Sequence, residues 1–482
     1  MGTTRLDACL SIRDGRLFVE GCAAADLAGR HGTPLSVVSE DQLRRNARRI
    51  AAAFGSHWTD GPVNVLPSIK ANLSLALRRV LSEEGMGCDA FGGPELYAAL
   101  RGGVAPELIS VNGPKEQEVV DEAVAVGARI TLDHVDEVAM IRAAVERTGG
   151  KAVVRPRIRP DLTSLDLASD WLDEPLPVSR VAQVYKAGIP LEDVLRIGPE
   201  LLSMEGVRVA GLHVHVGRHR PEPGYWRAVM AEVAGAVAEI SQAWGGWEPA
   251  EIDIGGGLPV PRDPFGREVA RIRERAGGGG HAAPVEVYAD AICGSLREEL
   301  GARGFDTSGV TLEVEPGRAL YGDAGVHLMR VTRIKRQTRP FPWTWVETDS
   351  TENFLPDVFL EHNRWNFVVA DRADAPPAMR ADVVGTSCNP DRILPEADLP
   401  EVEPGDVIAV LDTGAYQDAL ANNFNALPRP ATVLVTGERS ELIRRPETVP
   451  DVFARDVVPE RLQDRRVIVL EGREKEEIRP QT

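Results

Sequence analysis

A chain of 482 residues, 43% hydrophobic and 27% charged, has room for two domains or one large domain with a smaller one, and its composition is ordinary for a globular protein. The formal charge of −18 argues against nucleic acid or an anionic membrane as a main partner, since both need basic surface. No apolar run approaches a membrane span, Met1 to Val19 has no signal-peptide core, and the five cysteines (Cys9, Cys22, Cys88, Cys293, Cys388) show no metal-like spacing, so a reduced cytoplasmic setting is expected.

Residues 1–38 read as short strands and turns. A helix starts at Ser39, with Gln42 three residues later as a capping box, and reaches about Phe54. From there strands alternate with helices. Strands are expected near 63–69, 86–91, 108–112, 128–132, 152–158, 208–215, 251–254 and 310–315. Helices are expected over Leu73–Leu81, Pro94–Leu100, Glu116–Val126, Val135–Glu146, Gly224–Ala243 and Val285–Leu300. Eight such units predict an α/β chain with a (β/α)8 TIM barrel over 39–320. Residues 160–190 and 259–284 interrupt it as long loops. After Arg318 the pattern becomes short β segments (325–334, 341–347, 366–371, 406–410, 431–435, 466–470). This predicts a C-terminal, mostly β domain over 321–482, against which the first 38 residues pack, with a charged, frayed end from 471.

Reacting groups gather at the C-terminal ends of barrel strands. The first strand, Val63-Asn64-Val65-Leu66-Pro67-Ser68-Ile69, leads into Lys70, and a lysine partly withdrawn from water can lose its proton and attack a carbonyl. The bland alternative is a lysine with a packed stem and a solvated head. The sixth strand carries His213 and His215 on one face. They could fill the barrel mouth, pair on a metal, or present a ring to a flat cofactor. The seventh strand runs into Gly255-Gly256-Gly257, whose exposed N–H groups suit a phosphate, although a sharp turn also needs glycine. The eighth reads Leu312-Glu313-Val314-Glu315-Pro316-Gly317-Arg318. Glu313 and Glu315 share a face, Arg318 suits an anion, and a structural Glu–Arg pair is the alternative. A nucleophilic amine, a phosphate cradle, a flat ring, a carboxylate and an arginine together are what pyridoxal phosphate requires.

With these motifs in this order, from Gly32-Thr33-Pro34-Leu35 to Arg429-Pro430, the chain resembles the pyridoxal-phosphate decarboxylases of the alanine-racemase fold, which include diaminopimelate and ornithine decarboxylases. The resemblance implies that Lys70 bonds covalently to the cofactor and His215 stacks on its ring. It assigns Gly255, Gly256, Gly257, Gly317 and Tyr416 to the cofactor, with Asp89 close to it. Glu315 would pair with the pyridine nitrogen, and Arg318 would lie near the phosphate or a substrate carboxylate. Cys388, in Gly385-Thr386-Ser387-Cys388, would come from the other subunit of a homodimer and help to reprotonate Cα.

The chain also departs from that family. Arg218 follows the His-Val-Gly where serine is usual. Leu355-Pro356, Phe359 and Asn389 stand where the diaminopimelate enzymes have Arg-Pro, tyrosine and glutamate, and the loop from Cys388 to Asp391 is one residue shorter. Arg218, Leu355, Phe359, Asn389 and Asp391 are therefore the expected substrate-facing residues. An unpaired charged tail in such a pocket is costly, so the substrate is expected to be an amino acid or a derivative other than diaminopimelate or ornithine. Three alternatives stay open: a racemase or epimerase of the same fold, a metallohydrolase built on His213 and His215, and a non-catalytic relative.

Overall fold

The structure, a computed structural model, describes residues 8–160, 162, 168–169, 176–177, 186–215, 222–260, 283–360, 365–462, 468–471 and 474–477. Eight parallel strands close into a barrel. In order they are Val63–Val65, Cys88–Phe91, Ile109–Asn112, Arg129–Leu132, Ala152–Pro156, a sixth strand in two pieces (Val207–Val209 and Gly211–His213), Glu251–Asp253 and Thr311–Val314. The break in the sixth lets Val207–Val209 pair with the fifth strand and Gly211–His213 with the seventh. The eighth pairs with the first, and bridges between Ser68 and Asp89 and between Arg157 and His213 complete the ring.

Helices Leu75–Glu83, Gly93–Arg101, Gln117–Val126, Glu137–Thr148, Leu191–Ser203, Pro223–Ala243 and Val285–Ala302 connect successive strands. Glu40–His57, which precedes the first strand, packs between the Val285–Ala302 and Leu75–Glu83 helices and fills the remaining place. Ser39 caps it, accepting from the Gln42 amide at 3.0 Å. The Gln42 side chain does not complete a capping box. Its amide donates to Asn46 and Asp323 instead, tying the helix to the segment after the eighth strand.

The first strand is shorter than its apolar run suggested. Pro67 has no N–H to give the ladder, and Lys70 falls in a single 3-10 turn, Ile69–Ala71. The chain nevertheless keeps its neighbours: Leu66 donates to Val314 and Ser68 to Pro316.

After the barrel, the long strand Gly325–Gln337 organises a sheet of nine strands among the described residues. Its first half lies between Leu35–Ser39 and Val407–Leu411, and its second half pairs with Trp343–Thr348. Ala431–Thr436 runs parallel to Leu35–Ser39 on the other side. A small N-terminal sheet, Leu10–Arg13, Arg16–Val19 and Cys22–Ala23, packs Leu10, Leu17 and Val19 into one core with Val326, Leu328, Ala409 and Val433. Within the charged end, Glu474–Glu477 is not frayed but pairs with Ile468–Glu471. No helix of the described residues is long and apolar enough to cross a membrane.

Candidate active site

Strand alternation points every second side chain into the barrel, and here the inward positions carry charge in two layers. In the lower layer Glu313, with no exposed surface, sits between the guanidinium groups of Arg129 and Arg155 and accepts from Asn64 at 2.8 Å. Burial alone would raise the Glu313 carboxyl, but the two arginines outweigh it and hold the group at about 2. Arg155 also reaches Asp253 at 2.8 Å, and Glu251 borders Arg129 at 3.3 Å. Glu313 does belong to a structural Glu–Arg cluster, and its partners come from the fourth and fifth strands rather than from Arg318.

Two residues further along the eighth strand, Glu315 forms the upper layer with Lys70 and Asp89. The Lys70 Nζ lies 2.5 Å from Asp89 Oδ2 and 2.5 Å from Ser68 Oγ, while 44% of the side chain faces the open mouth. Withdrawal from water alone would have lowered the lysine, which was the sequence expectation. Asp89, Tyr416 and Glu315 overcome that effect and raise it, so Lys70 is an ammonium. Asp89 is buried, yet the Lys70 charge and hydrogen bonds from Ser68 and Asn112 keep it ionised. Among the described residues no lysine or arginine pairs directly with Glu315, although Lys70, Arg155 and Arg157 pull its carboxyl down from a distance. Burial and the nearby Asp89 charge push its carboxyl up from the usual range.

The histidines divide the work. His213 is buried and held neutral, its Nε2 3.3 Å from Glu315 Oε2. His215 is half-buried, and desolvation together with Arg157 and Lys70 keeps it neutral, its Nδ1 accepting from the Gly256 amide at 3.1 Å. Two of the three glycine N–H groups are thus engaged inside the chain, since Gly255 donates to Asp253 at 2.8 Å. This corrects the picture of three free donors. What the loop requires of glycine is close approach: a Cβ at Gly255 (φ 69°) would lie 2.6 Å from His215 Nδ1, and one at Gly256 2.2 Å from the Glu315 carbonyl oxygen.

Tyr416 is brought to the same mouth by the C-terminal segment. Its amide donates to Ala71 at 2.6 Å, and Asn72 donates to the Gly414 carbonyl at 3.0 Å. The tyrosine sits in the left-handed region (φ 67°), a strained backbone that these contacts hold. Its hydroxyl crosses Gly317, where a Cβ would lie 2.6 Å away, and the Arg318 guanidinium stacks 4.8 Å from its ring centre. Arg318 also pairs with buried Asp357 at 2.7 Å.

Two of the expected substrate readers are placed differently. Leu355 is fully buried in the core under the C-terminal sheet. Asp391 is buried too, and its carboxylate accepts from Thr351, Glu352 and Ser387, so it shapes the loop rather than facing a substrate. Arg218 lies outside the described residues. Phe359, Asn389 and Cys388 are exposed, and Cys388 is the one exposed thiol of the five. Sequence reasoning missed Asn112, Asp357, Arg155 and Arg157. The last two alternate along Val-Val-Arg-Pro-Arg, a spacing that could have marked them as inward-facing.

These groups fit pyridoxal phosphate. Lys70 can bond to its aldehyde, buried Glu315 calls for a cation such as a protonated pyridine nitrogen, and glycine leaves room beside His215 and Tyr416 where any Cβ would intrude. An alanine-racemase-type barrel joined to a β domain, with this set at its mouth, defines the class.

Comparison with known proteins narrows it. Residues 40–322 match the model of the pyridoxal-dependent decarboxylase family, pyridoxal binding domain. A diaminopimelate decarboxylase of Archaeoglobus fulgidus is 30% identical over 93% of this chain and 99% of its own. One from Methanocaldococcus jannaschii is 29% identical over 94% and 98%. The crystal structure of a diaminopimelate decarboxylase from M. jannaschii with L-lysine superposes with a TM-score of 0.83, at 28% identity, over 95% of this chain and all of that one. The chain belongs to the pyridoxal-dependent decarboxylases and is a carboxy-lyase, which sets aside the racemase, metallohydrolase and non-catalytic alternatives.

Proposed function

We propose that the enzyme removes the α-carboxylate of an amino acid or amino-acid derivative other than diaminopimelate or ornithine, at an active site shared between two copies of the chain. When bound, pyridoxal phosphate supplies an electron-poor ring to accept the electron pair left on Cα as carbon dioxide departs. In this reading Lys70 anchors the cofactor and exchanges with the substrate amine, and Asp89 stabilises its proton. Glu315 is counter-ion to the ring nitrogen, and neutral His215 walls one face of the ring. Gly256, Gly257, Gly317, Tyr416 and Arg318 surround the phosphate.

The substrate proposal rests on the burial of Leu355 in the core and on the neutral Asn389. Diaminopimelate carries a distal carboxylate and ammonium. Leu355 is sunk in the core and Asn389 is neutral, so neither offers a charge to the distal end. The names of the relatives favour a second reading, with diaminopimelate as substrate. Carbon dioxide release from the holoenzyme decides between them, on a panel of neutral, acidic and basic amino acids of both configurations plus meso-diaminopimelate. Efficient turnover of meso-diaminopimelate or ornithine overturns the proposal.

Exposure of Cys388 supports the shared site. A thiol that served only as packing would be buried in its own chain, as the other four cysteines are. We divide the chain at about 38 and 320. The common core of the N-terminal strands with the large sheet supports the first boundary, and the loss of alternation after Arg318 the second.

A further inference from the structure

We propose that Asn112, at the end of the third barrel strand, is a positioning residue that ties the two poles of the cofactor site together, its one amide group holding both Asp89 and Glu315 as carboxylates. The inference rests on the cofactor reading above and adds a residue to it. Asn112 is 2% exposed, and its Nδ2 donates to Asp89 Oδ1 at 2.6 Å and to Glu315 Oε1 at 2.6 Å. Asp89 is the partner of Lys70, and Glu315 is the group that meets the pyridine nitrogen. Both protons of the amide are therefore spent on the two anions that bracket the cofactor.

The orientation of the amide follows from its neighbours. Ser110 Oγ donates to Asn112 Oδ1 at 3.1 Å, and Arg155 Nη2 donates to the Ser110 oxygen at 2.5 Å. Rotating the amide by half a turn would set its oxygen 2.6 Å from two carboxylate oxygens and lose all three bonds. A chain of donors thus runs from the lower ionic layer, Arg155 to Ser110 to Asn112, and ends on Asp89 and Glu315. His213 supplies the other donor to Glu315: its Nδ1 has no partner among the described residues, so the single proton of the neutral ring belongs on Nε2, which faces Glu315 Oε2.

The titratable and charged groups facing this pair are Lys70 from the turn after the first strand, Glu95 from the helix after the second, Arg155 and Arg157 at the end of the fifth, His213 and His215 at the end of the sixth, and Asp253 from the seventh. No other neutral side chain of the described residues donates to both carboxylates. Without Asn112 each would lose a hydrogen bond to its charged form, and each would hold a proton more tightly. A protonated Glu315 no longer favours a charged pyridine nitrogen, and a protonated Asp89 no longer pairs with Lys70.

The test compares wild type, Asn112→Leu and Asn112→Asp as holoenzymes reconstituted with pyridoxal phosphate. It measures the cofactor dissociation constant and the pH midpoint of the bound cofactor's visible absorption band. Asn112→Leu should weaken cofactor binding about tenfold or more and raise the midpoint by about one unit, because two hydrogen bonds to charged groups are lost. Asn112→Asp should raise the midpoint as well, through an added anion. Its cofactor affinity should recover at low pH, where the new carboxyl carries a proton and can donate, and that of Asn112→Leu should not. A merely structural asparagine would lower thermal stability and leave the midpoint where wild type has it. That result overturns the proposal, and if Asn112→Leu fails to fold, an unchanged midpoint in Asn112→Asp overturns it alone. Failure of the wild type itself to bind pyridoxal phosphate would instead defeat the cofactor reading.

Discussion

Replacing Glu313 with glutamine tests whether the lower ionic layer holds the barrel together. The substitution keeps the shape and removes the charge that balances Arg129 and Arg155, both nearly inaccessible to water. Breaking a buried pair by removing one partner costs about 3–5 kcal/mol where the remaining charge is left uncompensated, and Glu251 and Asp253, which stay beside Arg129 and Arg155, place the cost at the lower end. The pull of the two arginines on the carboxyl points to a similar size. A carboxyl held at about 2 instead of its ordinary 4.5 is shifted by roughly 2.5 units, worth about 3 kcal/mol at 1.36 kcal/mol per unit. The sign follows from the lowered value: this stability is fully present above about pH 4.5 and is lost as pH falls from there towards about 2. Equilibrium urea unfolding of wild type and Glu313→Gln at pH 7.5 and again near pH 4 would measure it, with the m-values compared to confirm that the same surface is exposed. The expected gap is about 3 kcal/mol at the higher pH and narrower at the lower. A loss below about 1 kcal/mol at pH 7.5 would refute the argument, since it would mean that water reaches the arginines or that Glu251 and Asp253 alone suffice to balance them.

Two further perturbations address the site itself. Gly317→Ala should displace Tyr416 and the Arg318 that stacks on it, since the new Cβ would lie 2.6 Å from the hydroxyl. Cofactor affinity should fall roughly tenfold or more while thermal stability changes by only a few degrees, as overpacking at the edge of a mouth costs about 1–3 kcal/mol; fluorescence titration of the apoenzyme with pyridoxal phosphate reads it. If two chains share each site, mixing inactive Lys70→Ala with Cys388→Ala should restore about half the wild-type activity per hybrid dimer, because one hybrid site has neither defect. No recovery on proven subunit exchange would place Lys70 and Cys388 in the same chain's site.

The barrel was legible because its strands are short β-branched runs between amphipathic helices, and because four of them end in residues with evident chemistry. Lys70, His215, the glycine loop and Glu315 could be read one strand at a time. What stayed hidden was what depends on two strands at once. Asn112 is an ordinary strand-end residue until Asp89 and Glu315 stand on either side of it. The pairing of Arg318 with Asp357 joins segments 39 residues apart through a loop with no periodicity. In the C-terminal sheet, Met379–Val384 and Arg392–Leu399 went unread because charged residues break up their apolar pattern and the second contains Pro395. That strand forms an end of the sheet, where a missing N–H is tolerated.

The two layers together explain why the mouth is prepared for a cation. Below, Arg129 and Arg155 face Glu313, Glu251 and Asp253, and burial with the neighbouring Glu315 charge pushes the Asp253 carboxyl upwards, towards the neutral form. Above, Lys70 lies against Asp89 and Arg157 4.0 Å from Asp133, and among the described residues no lysine or arginine comes within ion-pair distance of Glu315. Glu315 is therefore the anion left over. A buried carboxylate without a cation either takes up a proton or waits for a charged ligand. Hydrogen bonds from Asn112 and His213 lower the cost of keeping it ionised but add no positive charge. In the proposed reading a protonated pyridine nitrogen would supply the missing charge, and Glu315 would help to keep that nitrogen charged. On that reading binding and activation would draw on the same unbalanced carboxylate.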